Sequence, residues 1–452
     1  MNLGSSEFLF GGPFPGSHII MLLFGAFLAY LGIGKRFEAL LLVPIGFSMM
    51  AVNLFPALMD ANFDITAPVG GKVQMIYVQP AKEEVLRVAE GAPLFKIDAY
   101  VIKAHCSGSL TAEGIAVNEG DIVNAHDKLA TLENVAVFIE GANPTGFFSR
   151  LVKYGILWDI IPLLIFIGLG ALTDFAPLIA DPKKFILGAA AQMGVYFVFY
   201  VAMLTGFTMP EAASVGIIGG ADGPTTIYLT SKLAPHLIAA TAPAAYTYMA
   251  MVPLIQPPVI RLLTTKKERA IYMKPQLRKI SHLELVLFPF VLMIITVLIV
   301  PPVAPIITAF MIGNLFKVSG VTERLSRTAS ESFIDIVTIL LGLSVGGIMS
   351  AENFLSSYKP VAIFAMGMVA FAVSTAGGVL IAKLMNLFLK EKINPMIGAA
   401  GVSAVPMSAR VVQRMGQQAN PRNFLLMHAM GPNAAGVIGT AIAAGFFLRL
   451  LG

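Results

Sequence analysis

Residues 216–224 read Gly216-Ile-Ile-Gly219-Gly-Ala-Asp222-Gly-Pro224, and residues 398–406 read Gly398-Ala-Ala-Gly401-Val-Ser403-Ala-Val-Pro406. Glycine, glycine and proline recur at the same spacing in both. Each stretch stands between long apolar runs, but neither reads as a continuous membrane helix. Glycine and proline interrupt the helical ladder, and small polar residues replace apolar ones. Non-helical backbone at membrane depth survives only where protein or a wet cavity surrounds it, because lipid satisfies no N–H or C=O. The two segments therefore read as re-entrant hairpins or broken helices.

Composition sets their surroundings. The chain has 452 residues, of which 13% are charged and 56% hydrophobic, and its mean hydropathy is +0.78. Soluble proteins carry roughly 25% charge, so this chain cannot cover a soluble surface. Apolar runs at 156–173, 185–206 and 285–300 mark an integral membrane protein. A single cysteine, Cys106, excludes an intrachain disulfide and a Cys-rich metal site.

Charge divides the chain. Residues 60–143 hold 6 Lys/Arg against 12 Asp/Glu, and the remainder holds 25 against 14. The positive excess lies in short loops: Lys35-Arg36, Lys183-Lys184, Lys266 to Arg269, Lys274 to Lys279, Arg324 to Arg327, Lys390 to Lys392 and Arg410 to Arg422. Short basic loops stay cytoplasmic, so these read as topology determinants rather than a nucleic-acid surface. No cleavable signal peptide is expected, because the first apolar run ends in Lys35-Arg36.

With those loops inside, spans are expected near 18–34, 37–56, 154–174, 185–206, 236–257, 282–300, 303–318, 332–350, 360–388 and 423–450, about ten crossings of an all-α polytopic protein. Three parts follow: an N-terminal transmembrane hairpin over 1–59, a β-rich extracytoplasmic insert over 60–143, and a transmembrane core over 144–452. The first broken segment then enters from outside and the second from the cytoplasm. A shared pattern with opposite entry is what an inverted-topology transporter repeat predicts, the two breaks meeting near the midplane. Free carbonyls beside a carboxylate suit a small hard cation such as Na⁺. The plainer reading is close helix packing through Gly-x-x-Gly, but two oppositely oriented matches favour a transport site.

Asp222 lies between long apolar spans with Thr225 and Thr226 nearby. A buried carboxylate needs a cation, a donor or a proton, and few bases are close in sequence, so an ion or proton role is expected. Asp159, Asp174, Glu211, Glu284 and Asp335 lie toward predicted span ends and read as boundary residues. On the second segment Asn394, Ser403 and Ser408 offer neutral oxygens. Arg410 is either a guanidinium fork for a cytoplasmic carboxylate or a positive-inside anchor. The Tyr248 phenol can bond a ligand, donate a proton, or simply bond a backbone carbonyl, the commoner situation. Asn433, in Gly431-Pro-Asn433, marks another break in an apolar helix. His428 reads as packed.

Longer motifs carry a resemblance. Gly219-Gly-Ala-Asp222-Gly-Pro-Thr225, Val252-Pro-Leu-Ile-Gln256-Pro-Pro258, Lys392-Ile-Asn394-Pro395, Ala400-Gly-Val-Ser403-Ala-Val-Pro406 and Met427-His-Ala-Met-Gly-Pro-Asn433 together resemble the beta subunit of sodium-translocating biotin-dependent decarboxylases, over residues 18–56 and 154–450. The resemblance implies an inner-membrane carboxybiotin decarboxylase that releases CO₂, takes up a proton and exports Na⁺. Carboxybiotin would arrive on a separate biotin carrier subunit, not covalently on this chain. A carboxyltransferase alpha subunit, a small gamma membrane subunit and further copies of the chain are the implied partners, with elevator-like movement. Family functional residues match Asp222, Tyr248, Asn394, Gly398, Ser403, Arg410 and Asn433. Asp222, Asn394, Gly398, Ser403 and Asn433 would hold Na⁺; Asp222, Tyr248 and Arg410 would act in catalysis, and Tyr248 and Arg410 would meet carboxybiotin. A sodium-coupled carboxylate carrier without decarboxylase activity, or a docking scaffold, would share fold-level features.

Residues 60–143 alternate short β-like runs with Gly turns and echo themselves. Ala67-Pro-Val-Gly-Gly-Lys-Val73 with Val88-Ala-Glu-Gly91 parallels Ala104-His-Cys-Ser-Gly-Ser-Leu110 with Val117-Asn-Glu-Gly120. This looks like the barrel-sandwich of biotinyl and lipoyl domains. Their modified lysine stands in an Ala-Met-Lys-Met turn, whereas this turn reads Ile97-Asp-Ala-Tyr-Val-Ile102, with Lys96 and Lys103 outside it. A structural or docking module, different from the usual family loop, is expected.

Overall fold

A computed structural model describes residues 16–34, 39–59, 61–68, 71–77, 85–89, 92–98, 100–104, 108–111, 115–119, 121–132, 142–274, 278–355 and 357–452. The Lys35-Arg36 loop, Cys106 and parts of the β-module echo (Val69, Gly70, Gly91, Gly120) lie outside the described residues.

The protein is mostly helical, as its apolar runs require. Among the described residues, seven helices are long and apolar enough to cross a membrane: Gly16–Ile33, Lys184–Leu204, His282–Ile299, Pro301–Val318, Glu323–Gly347, Lys359–Phe388 and Leu426–Leu451. Two further candidates are bent pairs, Phe147–Leu157 with Ile160–Leu172 at 60° and Pro235–Ala250 with Val252–Leu263 at 66°. Counting each pair as one span gives up to nine. Ala39–Leu54, at 16 residues, is a shorter apolar helix. Each expected apolar segment thus falls on an apolar helix or a bent pair.

The first bend centres on one residue. Asp159 adopts φ 61° just before Ile160–Leu172, left-handed backbone that no helix carries through. Its carboxylate is then tied to Lys232 at 2.5 Å and accepts the Ser231 hydroxyl at 3.1 Å. Asp159 is a buried joint rather than a boundary residue.

A buried amide helps pin the N-terminal hairpin to the core. Asn53 Nδ2 donates to the carbonyls of Met49 and Met349, each at 2.8 Å, and Oδ1 accepts the Ala351 N–H at 2.8 Å. Both ends of the amide are satisfied, as burial demands.

Between hairpin and core lie short antiparallel sheets. Ala61–Thr66 runs between Lys128–Leu132 and Asn143–Pro144, and Gly71–Ile76 between Pro93–Ile97 and Ile122–Val123. Val85–Val88 pairs with Gly108–Thr111. Leu94, Phe95 and Ile97 bury their side chains in this module. Lys128, 2.8 Å from Asp64, holds that carboxyl below its ordinary range. In the hairpin of Pro93–Ile97 with Tyr100–Lys103, Ile97 faces Tyr100. Lys96 and Lys103 both lie in strands, paired with Val101 and Pro93.

Lys359–Phe388 crosses both interrupted segments. A Cβ on Gly398 would run into the Gly378 carbonyl oxygen, and one on Gly378 would run into that of Gly398. A glycine on each side permits that backbone-to-backbone approach.

Candidate functional site

The first break is built in three steps. Thr208 caps Met209–Gly216 in a reciprocal capping box with Glu211, which satisfies the opening N–H groups. The helix then tightens into the 3-10 turn Ile217–Gly220. Ala221, at φ 54°, stops it. Asp222 is extended and caps the next helix, Gly223–Leu233, with Oδ1 accepting the Thr225 N–H at 3.0 Å. The break therefore aims a carboxylate at a helix N-terminus, where the backbone dipole favours negative charge.

The rest of that carboxylate is uncommitted. Asp222 is 3% exposed, and its Oδ2 has no hydrogen-bond partner among the described residues. Neither has the hydroxyl of Thr225 or that of Tyr246. The Tyr246 ring occupies the space that a Gly223 Cβ would need. Buried polar atoms are normally paired with protein, water or a ligand, so these oxygens around one helix start hold donor capacity for a small ion or water. Their chemistry, one carboxylate and two hydroxyls, is that of a hard cation's donors.

The second break meets the first directly. Pro395–Gly401 is a 3-10 turn, and Met407–Ala419 is the helix beyond it; the Val405–Pro406 bond between them is cis. The Ser403 N–H donates to the Gly220 carbonyl at 2.8 Å. Its hydroxyl lies 2.7 Å from Thr440 Oγ1, itself 3.2 Å from Gln192 Oε1. Asn433 Nδ2 reaches the Ala400 and Val402 carbonyls at 3.1 and 2.7 Å and Ser408 Oγ at 2.9 Å. Gln256 Nε2 donates to the Ala399 carbonyl at 2.8 Å. Both amides thus brace the break through nitrogen and keep a buried oxygen, Asn433 Oδ1 and Gln256 Oε1, without a partner among the described residues.

The sequence that forms these two interrupted helices, with a buried carboxylate at their contact, matches a known family along its length. The model of the Na⁺-transporting oxaloacetate decarboxylase beta subunit covers residues 17–451. The chain belongs to this family. It is 47% identical to oxaloacetate decarboxylase beta chain 2 of Salmonella typhi over 438 residues, 95% of this chain and 94% of that one. It is 46% identical to the methylmalonyl-CoA decarboxylase subunit beta of Propionigenium modestum over 435 residues, 96% and 95% of the two chains. The subunit of that name from Veillonella parvula is 57% identical over 301 residues, 67% of this chain and 80% of that one. The family match spans the β-rich segment as well.

The remaining expected site residues are placed unevenly. Asn394 is a loop brace: Nδ2 donates to the Arg269 and Ile271 carbonyls at 2.8 and 3.0 Å, and Oδ1 accepts the Met396 N–H at 3.1 Å. Gly398 provides the crossing with Gly378. The Tyr248 phenol donates to the Phe364 carbonyl, on the helix Lys359–Phe388. Arg410 is exposed near the start of Met407–Ala419. Asp222, Ser403 and Asn433 are therefore brought to the two breaks. Tyr248 and the Asn394 side chain face other partners, and Arg410 is exposed.

Four contributors went unread in the sequence: Tyr246, Gln256, Gln192 and Thr440. Each is a polar residue inside an apolar helix, a signal in itself. Gln256, in Val252-Pro-Leu-Ile-Gln256-Pro, is the most legible of them. Glu211, read as a boundary residue, is buried and paired with Lys359 at 2.6 Å and His236 at 2.9 Å.

Proposed function

We propose that this chain decarboxylates carboxybiotin presented by a separate biotin carrier subunit and couples that step to Na⁺ export. The observation that carries the reading is the unpaired, buried Oδ2 of Asp222 beside two unpaired hydroxyls, where the breaks meet. Family membership supports the coupling of decarboxylation to sodium transport.

The physics requires such coupling. Moving one charge against 100 mV takes about 2.3 kcal/mol, so export needs a downhill chemical step. Loss of CO₂ from carboxybiotin breaks its N–C bond, and the nitrogen takes up a proton. A single buried carboxylate serves both cargo and chemistry, because Na⁺ and H⁺ compete for one negative charge. In this reading Asp222, Ser403, Gly398, Asn394 and Asn433 form the Na⁺ pathway, Asn394 after releasing the loop carbonyls it now braces. Arg410, exposed and basic, receives a carboxylate. Tyr248 handles a proton once its phenol leaves Phe364.

The proposed setting is the inner (cytoplasmic) membrane, with about ten crossings, two re-entrant segments of opposite entry and residues 60–143 on the outer side. The carboxyltransferase alpha subunit, the carrier and a small gamma subunit complete a complex containing several copies of this chain. The test is decarboxylation of free carboxybiotin by the purified protein in vesicles. Na⁺ should stimulate CO₂ release and Asp222→Asn should abolish that stimulation. Unaltered sodium dependence in the variant removes the reading. Sodium-driven carboxylate uptake without CO₂ release would favour a secondary carrier instead.

A further inference from the structure

A cavity of about 760 Å³ lies where the start of Lys184–Leu204, the end of Lys359–Phe388 and the loop into Pro395–Gly401 converge. That volume is in the range of small-molecule sites. Among the described residues, Lys183, Lys184, Lys274, Lys390 and Lys392 line it, against Asp181 and Glu391. Short basic loops explain most of these as topology determinants. Lys184 is different.

Lys184 is 2% exposed. Its ammonium has three donors, and its contacts are long: the Pro177 carbonyl at 3.4 Å and Asp181 at 3.8 Å. Burying an ammonium is costly unless it is closely paired, so capacity for an anion remains. Its stem is fixed, with Cδ 2.6 Å from where a Gly431 Cβ would lie. That glycine opens the Gly431-Pro-Asn433 stretch whose asparagine braces the second break. The cavity wall leads to the same place. Leu187 and Ile397 line it, and the Leu187 carbonyl is 2.5 Å from a Cβ built on Gly401. Tyr272, Phe388 and Ile393 add apolar walls fit for a ring.

The geometry points to a second, anion-selective site: this cavity binds a small ring-bearing organic carboxylate, with Lys184 as its buried counter-ion. The ligand's identity rests on the proposed function, under which it is the carboxylate of carboxybiotin, docked beside the second break. The site is distinct from Arg410, which does not line the cavity; carboxybiotin docks at Lys184 first, and its carboxylate passes to Arg410 for the reaction. No covalent step occurs at Lys184; it holds and neutralises.

Equilibrium binding of labelled free carboxybiotin to the purified full chain in the Asp222→Asn background separates this site from turnover. Lys184→Met keeps the stem on Gly431 and removes the charge. Binding is expected to weaken tenfold or more and to recover at least partly in Lys184→Arg. On the Asp222 wild-type background, KM for carboxybiotin should rise by a similar factor, with Na⁺ half-saturation unchanged. Should Lys184→Met fail to fold, the exposed pair Lys183→Gln with Lys392→Gln should raise KM two- to fivefold. Carboxybiotin affinity unchanged in the available variants overturns the site. So does an effect that vanishes in vesicles free of anionic lipid, which would assign the cavity to a headgroup. If wild-type chain binds carboxybiotin through Lys184 without Na⁺-stimulated CO₂ release, the proposed function fails and this site stands.

Discussion

Asp222 commits one carboxylate oxygen to the Thr225 N–H and holds the other free beside Thr225 and Tyr246. The two tyrosines of Ile238–Ala250 divide the labour by geometry. Residues two apart on an α-helix point about 200° apart, so Tyr246 and Tyr248 face different surroundings. Family likeness points to Tyr248, the proposed proton handler. Packing adds Tyr246 beside Asp222, because its ring fills the slot left by Gly223, while Tyr248 bonds Phe364. Helix rotation decides this, and rotation within an almost wholly apolar helix leaves little trace in sequence. Tyr246→Phe keeps the ring and removes one oxygen. A contact to a charged group contributes about 1.5–3 kcal/mol, so the half-saturating Na⁺ concentration for decarboxylation should rise at least tenfold, with the thermal midpoint unchanged. An unaltered sodium titration would exclude Tyr246 from the site. The Asp222 motif, by contrast, was readable at once: few residues explain a carboxylate inside Gly-Gly-Ala-Asp-Gly-Pro.

Elements are where local sequence informs least about angles. Residues 154–174 read as one apolar span, but the chain turns by 60° there, because Asp159 finds Lys232 and Ser231, more than seventy residues away. Glu211 is the parallel case, a capping residue whose carboxylate also reaches Lys359 and His236. It joins the first broken segment to the start of Lys359–Phe388. Removing one partner of a buried ion pair costs about 3–5 kcal/mol. His236 is largely exposed and Lys359 partly so, which places Glu211→Gln at or below the lower end. Its thermal midpoint should fall by several degrees, read by scanning fluorimetry, and an unchanged midpoint would reduce the pair to a surface contact. At the other break, Gly398→Ala brings a methyl against the Gly378 carbonyl, backbone that cannot rotate away. Overpacking of this kind costs about 1–3 kcal/mol. The variant should lose Na⁺-stimulated CO₂ release together with thermal stability. Retention of both would mean that the two backbones part without penalty.

At the scale of the molecule, direction is what separates export from uptake, and charge distribution is its physical origin. The described loops that carry Lys183, Lys266 to Arg269 and Lys390 to Lys392 are basic, while the β-rich module carries twice as many acidic as basic residues. Lys/Arg bias orients a polytopic chain, so the lysine-lined cavity and the β module should face opposite compartments. The apolar segments themselves were legible from hydropathy, because burial in lipid demands long apolar runs; which face of the membrane each loop meets is a bilayer property and not a contact within the fold. Two single cysteines test it, placed in a Cys106→Ser chain to remove the native thiol. Asp98→Cys, at the hairpin of the β module, should react with an impermeant maleimide in intact cells. Lys267→Cys, exposed in the basic helix Lys266–Arg269, should react only in inverted vesicles. The reverse pattern would put the lysine cavity on the outer side, beyond reach of a cytoplasmic carrier, and coupling to cytoplasmic decarboxylation would have to be abandoned.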